Sequence, residues 1–189
     1  MIFGDPADFA IEAYNEPSGP EWGGFGRMCI HIQGTVLGDI RENHCSLFGA
    51  AHRFRELPSS IETLWDERFA GRSDVEIFGI LDRALYQDHG ESLEEMKAES
   101  RRLGQYKFLN NEGEQFDDFK SFIICRPAGL VHVLYQLRDD TLGSASCRVE
   151  SFRNVAESFV QWFDEQVRTT GPPFFPINPF DLNESVPDN

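Results

Sequence analysis

Lys120-Ser121-Phe122-Ile123-Ile124-Cys125-Arg126 and Leu130-Val131-His132-Val133-Leu134-Tyr135-Gln136-Leu137, joined by Pro127-Ala128-Gly129, read as the two arms of a β-hairpin. The runs are rich in β-branched and aromatic residues, and the connection holds the two strongest turn formers. Asp139-Asp140-Thr141-Leu142-Gly143 turns the chain again, and residues 144–150 are expected to return as a third strand. Antiparallel neighbours need only such short links, whereas parallel strands need long crossovers.

Working toward the N-terminus, Asn110-Asn111-Glu112-Gly113 is a turn and residues 105–109 are predicted to form a short strand. Three Ser-x-x-Glu patterns precede it, at Ser59/Glu62, Ser73/Glu76 and Ser92/Glu95, each the signature of a capped helix. The first is expected to open a segment ending at Gly71. The second heads a helix whose Val75, Ile77, Phe78, Ile80, Leu81 and Leu85 are apolar on several sides, which predicts deep burial. The third opens a highly charged helix closing at Gly104. Residues 47–57 form a further helix, which Pro58 is expected to stop. Residues 8–16 and 27–33 alternate apolar and polar, so each is a strand with one wet face. Gly34 interrupts, and 35–37 either continue past a bulge or begin the next strand. Residues 17–26 are a Pro/Gly loop.

Toward the C-terminus, Phe152, Val155, Ala156, Phe159, Val160, Trp162, Phe163 and Val167 mark one face of a long amphipathic helix. The order strands, helices, strands, helix predicts an α+β fold: an antiparallel sheet built from both ends of the chain with helices packed on it, in a single domain over 1–171. The tail, 172–189, is too rich in proline for regular structure and too aromatic for an ordinary disordered end. Residues 172–182 are expected to pack back on the domain and the rest to fray.

Composition narrows the function. The chain has 189 residues, 40% hydrophobic, enough for one core without staples. With 32 acidic against 17 basic side chains its formal charge is −15. That field repels the phosphates of nucleic acids and of anionic lipid, and favours a basic protein partner. No run is long and apolar enough to span a bilayer, and Met1-Ile2-Phe3-Gly4-Asp5 does not read as a signal peptide, so a cytoplasmic location is expected. Cys29, Cys45, Cys125 and Cys147 are scattered without a C-x-x-C pair, which predicts reduced thiols.

Candidate chemistry is sparse. Cys29-x-His31 puts two metal-binding side chains on one face of a strand, but no further ligand has recognisable spacing, so no metal or other cofactor is assigned. His44-Cys45-Ser46 offers a thiol at an apparent helix start with a histidine beside it, the basis for an alternative reading as a thiol-dependent enzyme. Adjacency in sequence does not make a dyad, however, and Ser46 is explained as a helix N-cap. Gly23-Gly24-Phe25-Gly26 lacks the Lys and Ser/Thr of a phosphate cradle. Carboxylate pairs such as Asp164-Glu165 are expected by chance in so acidic a chain. No catalytic residue is therefore assigned.

Several strings nevertheless occur together: Ile2-Phe3-Gly4-Asp5-Pro6, Leu37-Gly38-Asp39, His44-Cys45-Ser46-Leu47-Phe48, Gly113-Glu114-Gln115-Phe116-Asp117, Leu134-Tyr135-Gln136-Leu137-Arg138-Asp139 and Pro172-Pro173-Phe174-Phe175-Pro176-Ile177-Asn178-Pro179. With them the chain resembles the bacterial immunity protein 42 family over nearly its full length. The resemblance implies a non-enzymatic neutraliser of a secreted polymorphic toxin, whose partner would be the toxin's C-terminal domain. It carries over no binding residue. A regulatory interaction domain with no toxin partner is the other alternative. Loop position and charge single out Glu112, Glu114, Asp117 and Asp118 in one turn region and Asp139 and Asp140 in another as the carboxylates expected to meet a basic toxin. The helix carrying Glu94, Glu95 and Glu99 comes next. The free protein is expected to be a monomer.

Overall fold

The computed structural model describes residues 1–16, 24–42, 44–87, 90, 92–109 and 113–170. Two antiparallel sheets form. The first contains β1 (Ile2–Asp5), β2 (Phe9–Asn15), β3 (Phe25–Ile32) and β4 (Thr35–Leu37) in that order, with the two-residue β5 (Cys45–Ser46) also on β3. The second is the meander β6 (Phe119–Arg126), β7 (Leu130–Leu137) and β8 (Leu142–Arg148). Four helices pack on them: α1 (Leu47–Ser60), α2 (Asp74–Tyr86), α3 (Leu93–Leu103) and α4 (Val149–Thr170). The α+β class and the all-antiparallel pairing are as the sequence predicts.

Register explains the first sheet. Pairing Phe9 with Ile32, Ile11 with Ile30 and Ala13 with Met28 puts all six on one face, where each is buried in the core. The opposite face carries Glu12, Tyr14, Arg27, Cys29 and His31. A tight turn at Gln33 and Gly34, both with positive φ (49° and 77°), folds β4 back on β3. Thr35 thus begins a new strand.

The core is continuous between the sheets. Phe54 of α1 meets Phe108, Phe152 and Phe159 at ring-centroid distances of 6.1, 6.0 and 5.7 Å. Phe3 and Phe9 of the first sheet reach Phe159 and Phe152 of α4. On the second sheet, Phe78 of α2 stacks edge-on against Phe122. Aromatic pairs of this kind add about 0.5–1.5 kcal/mol each beyond area burial.

Several sequence expectations are corrected. The single sheet becomes two: as strands, β6, β7 and β8 pair only among themselves, and β8 meets the first sheet near the end of β3 without joining its ladder. The Gln33 side chain bridges there, accepting from Ser146 N at 3.1 Å. The strand expected at 105–109 reduces to a 3-10 turn, Gly104–Tyr106, and a single bridge from Lys107 to Phe122. Pro58 lies inside the last turn of α1 rather than ending it. The Ser59/Glu62 pattern is not a capping box: the Ser59 hydroxyl donates to Glu56 O, and only a 3-10 turn follows. Helix α2 is buried along Ile77, Phe78 and Leu81, but Val75 is 66% exposed. The Pro/Phe tail and Glu112 lie outside the described residues.

Candidate functional site

The pairing of β6 with β7 brings the acidic loops together. Phe119 opposes Leu137, so Asp117-Asp118, entering β6, and Asp139-Asp140, leaving β7, lie at the same end of the second sheet. Asp117, Asp118 and Asp140 line one open concavity of about 320 Å³, floored by Tyr86, Phe116, Phe119 and Leu137. Two bases, Lys120 and Arg138, share that lining. Arg138 reaches Asp118 at 3.1 Å, and Lys120 pairs with Asp82 of α2. Locally the acidic excess is one charge. The concavity is therefore an apolar floor with a mixed charged rim, a layout that suits an anchoring side chain of a partner.

Among the described residues, the other predicted carboxylates are close by and have local duties. Asp139 accepts from Thr141 N at 3.1 Å, and its bonds to Thr141 hold its carboxyl below the usual range. Asp140 adopts φ 65°, which Asp tolerates better than most residues. Glu114 sits on the 3-10 turn Glu114–Phe116 and lies 3.7 Å from His44 Nδ1. Gly113 makes that approach possible, since a Cβ there would collide with the His44 carbonyl.

The structure does not turn His44 onto Cys45 as the thiol alternative requires. Cys45 is fully buried in the core, while His44 points outward toward Glu114. The Ser46 hydroxyl accepts from Gly49 N at 3.1 Å, the N-cap role expected. Two clusters join residues that the sequence did not bring together. In the first, His132 Nδ1 lies 2.5 Å from Ser146 Oγ and its Nε2 lies 3.1 Å from Asp74 Oδ2. Asp74 also accepts from Ser144 Oγ at 2.6 Å and Arg126 at 2.5 Å. The residue types are those of a hydrolase triad, but His132 is only 6% exposed, so the ring is closed to a substrate. The cluster fastens the start of α2 to β6–β8.

The second cluster is on the outward face of the first sheet. Glu12 pairs across the strands with Cys29, and His31 is the next residue on the same face. Glu12 Oε2 lies 2.9 Å from His31 Nε2 and 3.7 Å from Cys29 Sγ; Sγ and Nε2 are 3.5 Å apart. The Tyr14 hydroxyl donates to Glu12 Oε1 at 2.7 Å. That bond, with those from His31 and Cys29, outweighs burial and holds the Glu12 carboxyl below its ordinary pKa. Burial and the Glu12 charge push the Cys29 thiol up to about 12. Nothing in the sequence pairs Glu12 with Cys29; only the register does.

The family model for immunity protein 42 (Imm42) matches residues 1–162. No curated protein matches the chain. Among solved structures, the fold is similar to the crystal structure of CdiI from Burkholderia dolosa AUO158, with a TM-score of 0.62 at 14% identity, covering 86% of this chain and 99% of that one.

Proposed function

This chain belongs to the immunity protein 42 family and is an immunity protein, and from that premise we propose that it neutralises its cognate toxin by forming a one-to-one complex, without turning over a substrate. The observation that carries the reading is the family match over residues 1–162, which spans both sheets and most of α4. The absence of turnover is supported by the burial of Cys45 and His132, the two side chains best suited by type to covalent or acid–base chemistry.

The rest of the reading is physical. A formal charge of −15 draws a basic toxin surface toward the protein and disfavours nucleic acid and anionic membrane. Among the described residues no helix is long and apolar enough to cross a membrane. We place the free protein as a monomer in the cytoplasm, where a toxin entering the cell must be met. The contact surface is the end of the second sheet, with Asp117, Asp118 and Asp140 around the concavity and Glu114 and Asp139 beside it; Glu112, the sixth carboxylate of the set, lies outside the described residues. An interface of standard size suffices for a nanomolar or tighter constant. Co-expression with the toxin domain encoded beside it should restore growth, and light scattering of the purified pair should give one-to-one mass. A toxin that kills regardless, with no complex formed, would overturn the reading.

A further inference from the structure

We infer that Glu12, Cys29 and His31 form a three-donor site for a divalent cation of the zinc class on the outward face of the first sheet. Three observations carry this. The first is geometry. Metal–ligand lengths of about 2.0–2.3 Å at tetrahedral angles set donor atoms roughly 3.3–3.6 Å apart. The three atoms here stand 2.9, 3.5 and 3.7 Å apart, already close to the edges of such a tetrahedron. One carboxylate oxygen, one imidazole nitrogen and one thiolate suit a borderline cation, whereas calcium and magnesium call for oxygens alone.

The second is the position of Cys29. Cys45, Cys125 and Cys147 belong to the hydrophobic core cluster; Cys29, although buried, does not. Its side chain lies on the opposite face of β3 from Met28, Ile30 and Ile32, against two polar groups. Packing explains three cysteines and leaves this one to its chemistry.

The third is support and access. The Tyr14 hydroxyl fixes the Glu12 oxygen not aimed at the cluster, the outer-shell contact that orients a carboxylate ligand. The Glu12 and His31 side chains retain 18% and 16% exposure, so the fourth corner opens to solvent for water or an incoming donor. Coordination requires the thiol proton to leave to solvent as the Cys29–metal bond forms; nothing is oxidised or reduced. The sequence stopped at Cys29-x-His31 because its third donor comes from the neighbouring strand.

Cobalt(II) titration of the reduced, chelator-treated full chain tests the site. One equivalent should raise thiolate-to-cobalt charge-transfer absorption, displaced by one equivalent of zinc. Cys29→Ser should abolish the band. His31→Gln and Glu12→Gln, both at partly exposed positions, should weaken cobalt binding on the order of 100-fold, and Tyr14→Phe on the order of tenfold. Far-UV circular dichroism checks the fold of each, and if Cys29→Ser unfolds, the other variants decide. No charge-transfer band in the wild type, a band that survives in folded Cys29→Ser, or affinity unchanged in both His31→Gln and Glu12→Gln would overturn the assignment.

Discussion

At the scale of single residues, the cluster around His132 gives the sharpest expectations. Burial pushes the His132 imidazole below its ordinary pKa of 6.5, against the pull of Asp74. The folded chain therefore binds fewer protons there than the unfolded one. Stability is full above pH 6.5, declines as the unfolded ring protonates below it, and keeps declining until the folded ring titrates too. Asp74 works in another window. Burial raises its carboxyl, but the Ser144 hydroxyl bond and the charges of His132 and Arg126 outweigh that and keep it below its ordinary 3.8. Its contribution is present above that value and lost as pH falls through the lower folded pKa. Urea midpoints at about pH 7.5 and about pH 5.5 should separate the two, since His132→Asn should flatten the difference while leaving the acid limb below about pH 4. Asp74→Asn leaves Arg126 and His132 poorly partnered and should cost about 1–2 kcal/mol at neutral pH, toward the low end because Asp74 is partly exposed. Equal pH slopes in wild type and His132→Asn would refute the assignment. Little of this cluster was legible beforehand. His132 lies within a predicted strand, but Asp74 and Ser144 are 70 residues apart, and only the docking of α2 on the meander joins them.

Elements were more legible than residues, and the exceptions have local causes. The boxes at Ser73 and Ser92 form as read: each serine accepts from the glutamate N–H three residues on, and each glutamate accepts from the serine N–H. Ser73→Ala should destabilise the fold by about 1 kcal/mol, because α2 anchors the meander through Asp74 at its first position. Ser92→Ala should fray α3 with a smaller effect on the global midpoint, since that helix is polar and highly exposed. Hydrogen exchange across both helices, beside urea melts, distinguishes local from global loss; equal global shifts would contradict this account. The same pattern at Ser59 failed because α1 had not ended. Pro58 falls in its last turn, where its missing N–H affects a single helical hydrogen bond, and its own carbonyl accepts from Arg153 Nε at 3.1 Å. The two-sheet outcome was illegible for a related reason. Alternation identifies strands and faces, but not whether two strand groups join edge to edge.

For the whole molecule, charge acts at two ranges that the sequence does not distinguish. The formal −15 is a property of the full surface, whereas the candidate concavity has three carboxylates facing two bases. Long-range steering should therefore depend on the total, and the concavity should contribute most at contact, through its apolar floor and its freely presented Asp117. That division predicts how a variant will behave. Asp117→Lys and Asp118→Lys with Asp140→Asn moves the formal charge from −15 to −10, two units for each lysine and one for the asparagine. Asparagine at 140 retains a residue type tolerant of positive φ, and Asp139 is spared because it holds the turn through Thr141. Stopped-flow association with the toxin domain should slow about three- to tenfold at low ionic strength, and the dependence of its rate on salt should become shallower. A control that changes the same five charges on α3, at Glu94→Lys, Glu95→Gln and Glu99→Lys, should reproduce part of the slowing but not the faster dissociation, which contact at the concavity should add. If dissociation is unchanged when the fold is intact, the concavity is not the contact surface. If both variants slow association equally and neither alters dissociation, the field of the whole protein steers the encounter and the contact lies elsewhere.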